Sequence, residues 1–276
     1  RNAFLHGALG PDMGYFPGAD PLLAELAHHA RTGAFCRALV GEARTDEARA
    51  FAWGWVTHVL ADVAVHPLVN EACGELATGV RTPLWGAEVA VAHLRVETGL
   101  DAACHARHPE LARLRGLPAL DPGVFHAVRC AYLHTYGAAP DAEALVHAHR
   151  QVVRLLGPGA RVRGVAACAV DGRGAGAWAA RMALRAAARL GARNAHAEGL
   201  FSPVRPAPWL LDEVDAIAAG FADWFGAHYA SGLRFLRDHC LDTGEAHDHD
   251  QPCARAAIDA LRARWAAAPE LLRAAA

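Results

Sequence analysis

The stretch of sequence that decides the fold is FAWGWVTHVLADVAVHP, residues 51–67. Apart from one glycine and one threonine, the residues before Pro67 that are not apolar are His58, Asp62 and His66. Their spacing is i, i+4 and i+8, so on a helix they lie along one face. The rest of the helix circumference is apolar, which predicts a helix that is buried nearly all round.

A carboxylate at Asp62 needs a cationic partner in that setting, because burying an unpaired charge costs several kcal/mol or more. The segment contains no arginine. A metal ion held by His58, Asp62 and His66 would meet the need directly. The alternative is a His–Asp–His ladder of hydrogen bonds that fills a polar seam without any metal.

Helix signals continue along the chain, which is rich in the helix formers alanine and leucine. Caps and prolines predict helices at residues 21–40, 45–66, 83–108, 121–135, 141–156, 178–190, 211–240 and 252–265. The apolar run at 165–170 could be a strand or a helix. We expect one all-α domain over residues 1–276 with a metal cleft between helices, a division near residue 157 being the alternative.

Net charge, apolar run length and cysteine spacing argue against several classes of protein for this sequence. The formal net charge is −2 and there is no lysine, so we expect no nucleic-acid partner. No stretch has the roughly 18 apolar residues of a membrane span. The seven cysteines are dispersed without a CxxC pair, which favours reduced thiols over a disulfide framework. We expect a cytoplasmic protein, with secretion as the alternative.

Further candidate ligands flank the central segment. His93 and Glu97 are spaced i, i+4, and Asp101 and His105 continue their stripe. Facing helices with such pairs build two-metal sites in helical bundles, although a solvated face is the plainer interpretation. Upstream, Asp12 stands in a Gly/Pro-rich loop that turn chemistry alone would explain.

Four of these stretches in order resemble the zinc-dependent phospholipase C family, which is related to the P1-type nucleases. They are GALGPD (7–12), HHARTGAF (28–35), AFAWGWVTHVLADVAVHP (50–67) and HLRVE (93–97). The resemblance spans roughly residues 3–101 and implies an all-α fold that binds up to three zinc ions in a cleft.

The resemblance also implies roles for single residues. One zinc would be held by Asp12, His28, His58 and Asp62, and a second by His66, His93 and Glu97. Asp12 would be the catalytic residue, as general base or as the ligand that orients the attacking water. His28 is favoured over His29 because it stands four residues before Thr32. Asp62 would bridge to a third zinc, whose other family ligands are a Trp and a His near the N-terminus. Neither is present here, and His6, which could substitute, does not stand at the family's position.

This ligand set suits zinc, and iron or manganese would also suit it. Two metals roughly 3.5–4 Å apart would activate water and clamp a phosphoryl oxygen, so no Ser or Cys nucleophile is needed. We therefore predict a zinc-dependent phosphodiesterase with two or three ions, acting on a small phosphate ester or a lipid headgroup. The alternatives are a metalloenzyme of specialised metabolism on the same scaffold and a non-catalytic helical metal-binding protein. The oligomeric state is left undecided.

Overall fold

The computed structural model describes residues 1–16, 18–86, 89–108, 120–121, 123–190, 201–247 and 251–267. Its helices are α1 (Asn2–Gly7), the 3-10 helix η1 (Pro11–Tyr15), α2 (Pro21–His29), α3 (Thr32–Glu42), α4 (Asp46–Thr78), α5 (Ala90–Arg107), α6 (Val124–Tyr136), α7 (Ala142–Asp171), α8 (Gly174–Leu190), α9 (Pro208–Ala230) and α10 (Pro252–Ala267). Extended pairing within these residues is limited to one bridge between His239 and Ala246. The all-α prediction is therefore confirmed.

Two compact units make up the chain. Unit 1 contains Arg1–Ala64, Leu117–Arg154 and Gly220–Ala276, and unit 2 contains Val65–Gly116 and Leu155–Ala219. Helix α4 contributes to both, because the boundary falls between Ala64 and Val65 within it. In the described part of the chain, no helix combines the length and apolar character that a bilayer crossing requires.

Helix α4 corrects one sequence prediction, since it does not end before Pro67 but continues to Thr78. A proline inside a helix removes one backbone hydrogen bond and crowds the preceding turn. Here the turns after it carry Val69 and Cys73, which are buried in the apolar core of unit 2 with Leu100 of α5. Burial of these side chains outweighs the lost hydrogen bond, so His66 lies inside the helix rather than at its end.

The predicted helix over residues 21–40 is two helices. Asp20 caps the first, accepting a hydrogen bond from the backbone N–H of Leu22 at 3.1 Å. The break comes at Ala30, which is extended, and Arg31, which has a left-handed φ of 53°. The Arg31 side chain donates to the carbonyl oxygen of Thr135 at 2.8 Å, which helps to hold this strained corner.

Other boundaries also differ from expectation. Helix α5 begins at Ala90, seven residues after the predicted start at residue 83. Helix α7 runs on to Asp171, so the ambiguous run at 165–170 is helical. Helix α9 ends at Ala230, ten residues early, because Gly232 and Leu233 both have positive φ. The chain beyond this turn is then available to pair with the corner between α2 and α3.

Helix α1 contacts α4 through two glycines. A Cβ on Gly7 would lie 1.9 Å from the carbonyl oxygen of Phe51, and a Cβ on Gly54 would lie 2.0 Å from that of Phe4. Only glycine permits backbones to approach this closely. The contact fixes the end of α1, and with it Ala8, against the buried helix α4.

This contact predicts different outcomes for two Gly→Ala substitutions. Gly54→Ala should lower the free energy of unfolding by about 1–3 kcal/mol or more, because the new Cβ must displace backbone atoms. Gly41→Ala on α3, where the space around the new Cβ is open, should raise it by up to about 1 kcal/mol. Urea denaturation followed by circular dichroism would measure both. Equal stability of the two variants would contradict the close approach.

His6 and His149 lie together in the core of unit 1. Their rings meet edge to face with centroids 4.6 Å apart, and their side chains are almost completely buried. Burial and the nearby His6 lower the pKa of His149 to about 4. The fold therefore favours a neutral ring at His149.

Because the pKa of His149 is lower in the folded state than in the unfolded state, the free energy of unfolding should decrease at acidic pH. The stabilisation is fully present above the unfolded pKa of about 6.5 and is lost as the pH falls towards about 4. Over that window wild type should lose up to about 3 kcal/mol more than the His149→Gln variant. Denaturation at pH 7, 5.5 and 4 would measure the difference, with the exposed His126→Gln as control. Parallel pH profiles for wild type and His149→Gln would refute it.

Candidate metal centres

The first group of predicted ligands, here called the Asp12 cluster, consists of Asp12, His28, His58 and Asp62. Helix η1 carries Asp12, α2 carries His28, and α4 carries the other two. Asp12 Oδ1 lies 3.2 Å from His28 Nε2 and 3.9 Å from His58 Nε2. His58 Nε2 also lies 2.9 Å from an oxygen of Asp62. Two imidazoles therefore point their Nε2 atoms at carboxylates.

Backbone carbonyl oxygens fix both imidazole rings through hydrogen bonds from Nδ1. His28 Nδ1 donates to the carbonyl oxygen of Ala24 at 2.8 Å, and His58 Nδ1 donates to that of Ala8 at 2.9 Å. A carbonyl oxygen only accepts, so Nδ1 carries a proton in each ring. This leaves Nε2 of a neutral ring as a lone-pair donor, which is the arrangement found behind metal-binding histidines.

His58 provides the test of whether a metal fits. Its Nε2 is buried and is not satisfied by a well-directed hydrogen bond from the described residues. An oxygen of Asp62 lies 2.9 Å from this nitrogen. Burial lowers the pKa of His58, but Asp62 and Asp12 outweigh burial and raise it to about 10. The surroundings of this nitrogen thus strongly favour positive charge, and a zinc ion at Nε2 would supply it.

The second group, the Glu97 cluster, consists of His66 from α4 with His93 and Glu97 from α5. The Nε2 atoms of both histidines lie 3.1 Å from the same oxygen, Oε1 of Glu97. The two rings are edge to face with centroids 5.3 Å apart. Two imidazoles and one carboxylate converging on a point are a common three-ligand zinc set that leaves a position for water.

The short distances within the Glu97 cluster shift the pKa values of Glu97 and His93. Burial would raise the pKa of Glu97, but hydrogen bonds from both histidines hold it well below its usual range. For His93, burial by itself would lower the pKa. Contacts with Cys73 and Glu97 outweigh the effect of burial and raise the pKa to about 10. The carboxylate is therefore ionised and attracts cations to the two nitrogens.

All seven residues predicted as ligands fall into these two clusters, four in unit 1 and three in unit 2. Their roles as ligands, and that of Asp12 in catalysis, stay predictions. His29 points elsewhere, with Nε2 3.3 Å from Glu25. Asp101 and His105, which continue the α5 stripe, belong to neither cluster in the described part of the chain.

Comparison with known families agrees with this geometry. A family model described as zinc-dependent phospholipase C matches residues 1–143, just over half of the chain. The chain belongs to this family. The matched region contains every residue of the Asp12 and Glu97 clusters, and membership in the phospholipase C family implies zinc as the metal. No curated protein and no solved structure gives a significant match.

Sequence reasoning missed three parts of this region. The carbonyls of Ala8 and Ala24 carry no side-chain signal, so only the fold reveals them. Cys73, which contacts His93, was expected only to be one of seven reduced thiols. His29 lies with Cys240 and Cys253 in a third group of metal-binding side chains. The histidine and the cysteines are so far apart along the chain that no motif joins them.

The Glu97 cluster yields a prediction about metal content. Glu97→Gln replaces the carboxylate that both histidines share, so the purified variant should contain about one zinc ion fewer per chain than wild type. Asp101→Asn removes the same charge from an exposed position on the same helix and should leave the zinc content unchanged. Inductively coupled plasma mass spectrometry would count the metals. A Glu97→Gln protein with the full zinc content would show that Glu97 is no ligand.

Proposed function

We propose that this protein is a zinc-dependent hydrolase of phosphate esters that uses an activated water molecule. The observation that carries the proposal is the convergence of seven histidines and carboxylates in two clusters inside the region matched by the zinc-dependent phospholipase C family. Family membership supports a lipid or phosphate-ester substrate in general terms. A phosphodiester such as a phospholipid headgroup is the substrate class that we infer.

We assign one zinc ion to each cluster. Asp12, His28, His58 and Asp62 would hold the first, and His66, His93 and Glu97 the second. The backbone-anchored rings of His28 and His58 support this assignment, because their Nε2 atoms are already oriented for binding. A third family-type zinc has no support from His6, which is packed against His149 in the core.

Zinc would supply a Lewis acid that lowers the pKa of a water molecule and polarises a phosphoryl oxygen. The chain would supply the base. The side chain of Asp12 is 38% exposed, whereas that of His28 is 5% exposed, so Asp12 reaches both the cluster and solvent. We propose that its carboxylate accepts the proton of the attacking water. His28 and His58, held by carbonyls, would keep the orientation of Asp12 fixed through the reaction.

Hydrolysis of a chromogenic phosphocholine ester by the zinc-loaded protein would test this function. Asp12→Asn should lower kcat by about 100-fold or more, since it removes the proposed base. Asp259→Asn, an exposed carboxylate on α10, is the matched control and should retain full activity. Chelation should abolish turnover, and added zinc should restore it.

The same assay separates the alternatives. The zinc-loaded wild type could hydrolyse a simple chromogenic phosphodiester but not the phosphocholine ester. In that case the proposed hydrolase activity would stand, and the inferred headgroup would be wrong. Zinc-loaded protein that hydrolyses no phosphate ester would overturn the proposal. The zinc content of each variant must be measured in parallel, because a lower kcat of Asp12→Asn supports the role of Asp12 as the base only if that variant retains its zinc.

A further inference from the structure

A third set of metal-binding side chains lies in unit 1, outside the Asp12 cluster. It joins His29 at the end of α2, Cys240 in the segment after α9, and Cys253 in the first turn of α10. Cys240 Sγ is 3.4 Å from Cys253 Sγ and 3.6 Å from His29 Nδ1. All three ligand atoms lie within 4.8 Å of one another.

Two of these separations, those made by Cys240 Sγ, are close to the edges of a zinc coordination tetrahedron. With Zn–S near 2.3 Å and Zn–N near 2.0 Å, neighbouring ligand atoms should be roughly 3.5–3.8 Å apart. The Sγ–Nδ1 separation falls in this range, and the Sγ–Sγ separation is a few tenths of an ångström shorter. Because all three ligand atoms lie within 4.8 Å of one another, a single ion could contact all of them after side-chain adjustment.

The surroundings of His29 fit the same interpretation. Its Nε2 faces Oε2 of Glu25 at 3.3 Å and Oδ2 of Asp242 at 3.8 Å. A carboxylate that accepts the Nε2 proton leaves the Nδ1 lone pair directed at the sulfur atoms. Carboxylates behind a histidine in this way orient it as a metal ligand and make it more basic.

We propose that His29, Cys240 and Cys253 bind a zinc ion that is separate from those of the Asp12 and Glu97 clusters. Two thiolates would neutralise its charge, and a water molecule would complete the tetrahedron. Both cysteines lie beyond the region matched by the family model. The site rests on the geometry of these three residues and stands whether or not the protein hydrolyses phosphate esters.

The role of such an ion would be to fasten the C-terminal part of unit 1 to α2. The backbone N–H of Leu241 donates to the carbonyl oxygen of His28 at 2.8 Å. Thr32 and His239 exchange hydrogen bonds, with the N–H of His239 donating to the Thr32 hydroxyl at 2.8 Å. A zinc bound one residue from His28 would reinforce this attachment and steady the backbone that carries a ligand of the Asp12 cluster.

Cobalt substitution separates this site from the other two. Thiolate ligands give a sulfur-to-cobalt charge-transfer band in the near ultraviolet, whereas histidine and carboxylate ligands do not. The cobalt-loaded wild type should show the band. The Cys240→Ser/Cys253→Ser double variant should lose it and contain one zinc ion fewer per chain. Cys168→Ser, which alters an exposed cysteine, should keep both the band and the metal content.

Alkylation of the wild-type protein tests the site without any variant, should the double variant fail to fold. Zinc-loaded protein should protect Cys240 and Cys253 from alkylation relative to chelated protein, as mapped by peptide mass spectrometry. The exposed Cys168 should react equally in both samples. Equal labelling of Cys240 and Cys253, absence of the charge-transfer band, or a Cys240–Cys253 disulfide in zinc-loaded protein prepared with reductant would each overturn the proposal.

Discussion

The hydrogen bond from His58 Nδ1 to the carbonyl oxygen of Ala8 is the contact on which the Asp12 cluster depends. It sets which nitrogen of the ring faces Asp62 and Asp12. The carbonyl is in reach only because Gly7 and Gly54 let α1 lie directly against α4. Two residues without side chains thus control the orientation of a histidine in a cluster to which they contribute no atom.

Electrostatics explains why imidazoles and carboxylates gather on this apolar helix. A buried carboxylate is unfavourable alone, and a buried imidazolium is equally so, but each lowers the cost of the other. The raised pKa values of His58 and His93 and the lowered pKa of Glu97 express this mutual dependence. At the proposed sites, proton and zinc would compete for the same nitrogens, so metal uptake would be coupled to proton release.

Much of the fold and of the two clusters could be predicted from sequence, because helical periodicity places residues four apart side by side. His58 with Asp62, and His93 with Glu97, follow from that rule alone. Placing Asp12 and His28 beside them needed the family resemblance, since local spacing says nothing about distant segments. The end of α4 was predicted wrongly, because core packing beyond Pro67 is a tertiary effect that a local proline rule omits. The group of His29, Cys240 and Cys253 depends on the path of the chain after α9. This is also a tertiary effect, so local sequence rules could not predict it.

The pairing of Thr32 with His239 joins residues 207 positions apart in the chain. During synthesis the corner that bears His28 therefore cannot be completed until most of the polypeptide has left the ribosome. Helix α4 can form early from local contacts, whereas the corner between α2 and α3 gains its hydrogen bonds to His239 only when that part of the chain is available. A zinc ion held by His28, as proposed, would therefore be bound late, after most of the chain has been synthesised and its helices have formed.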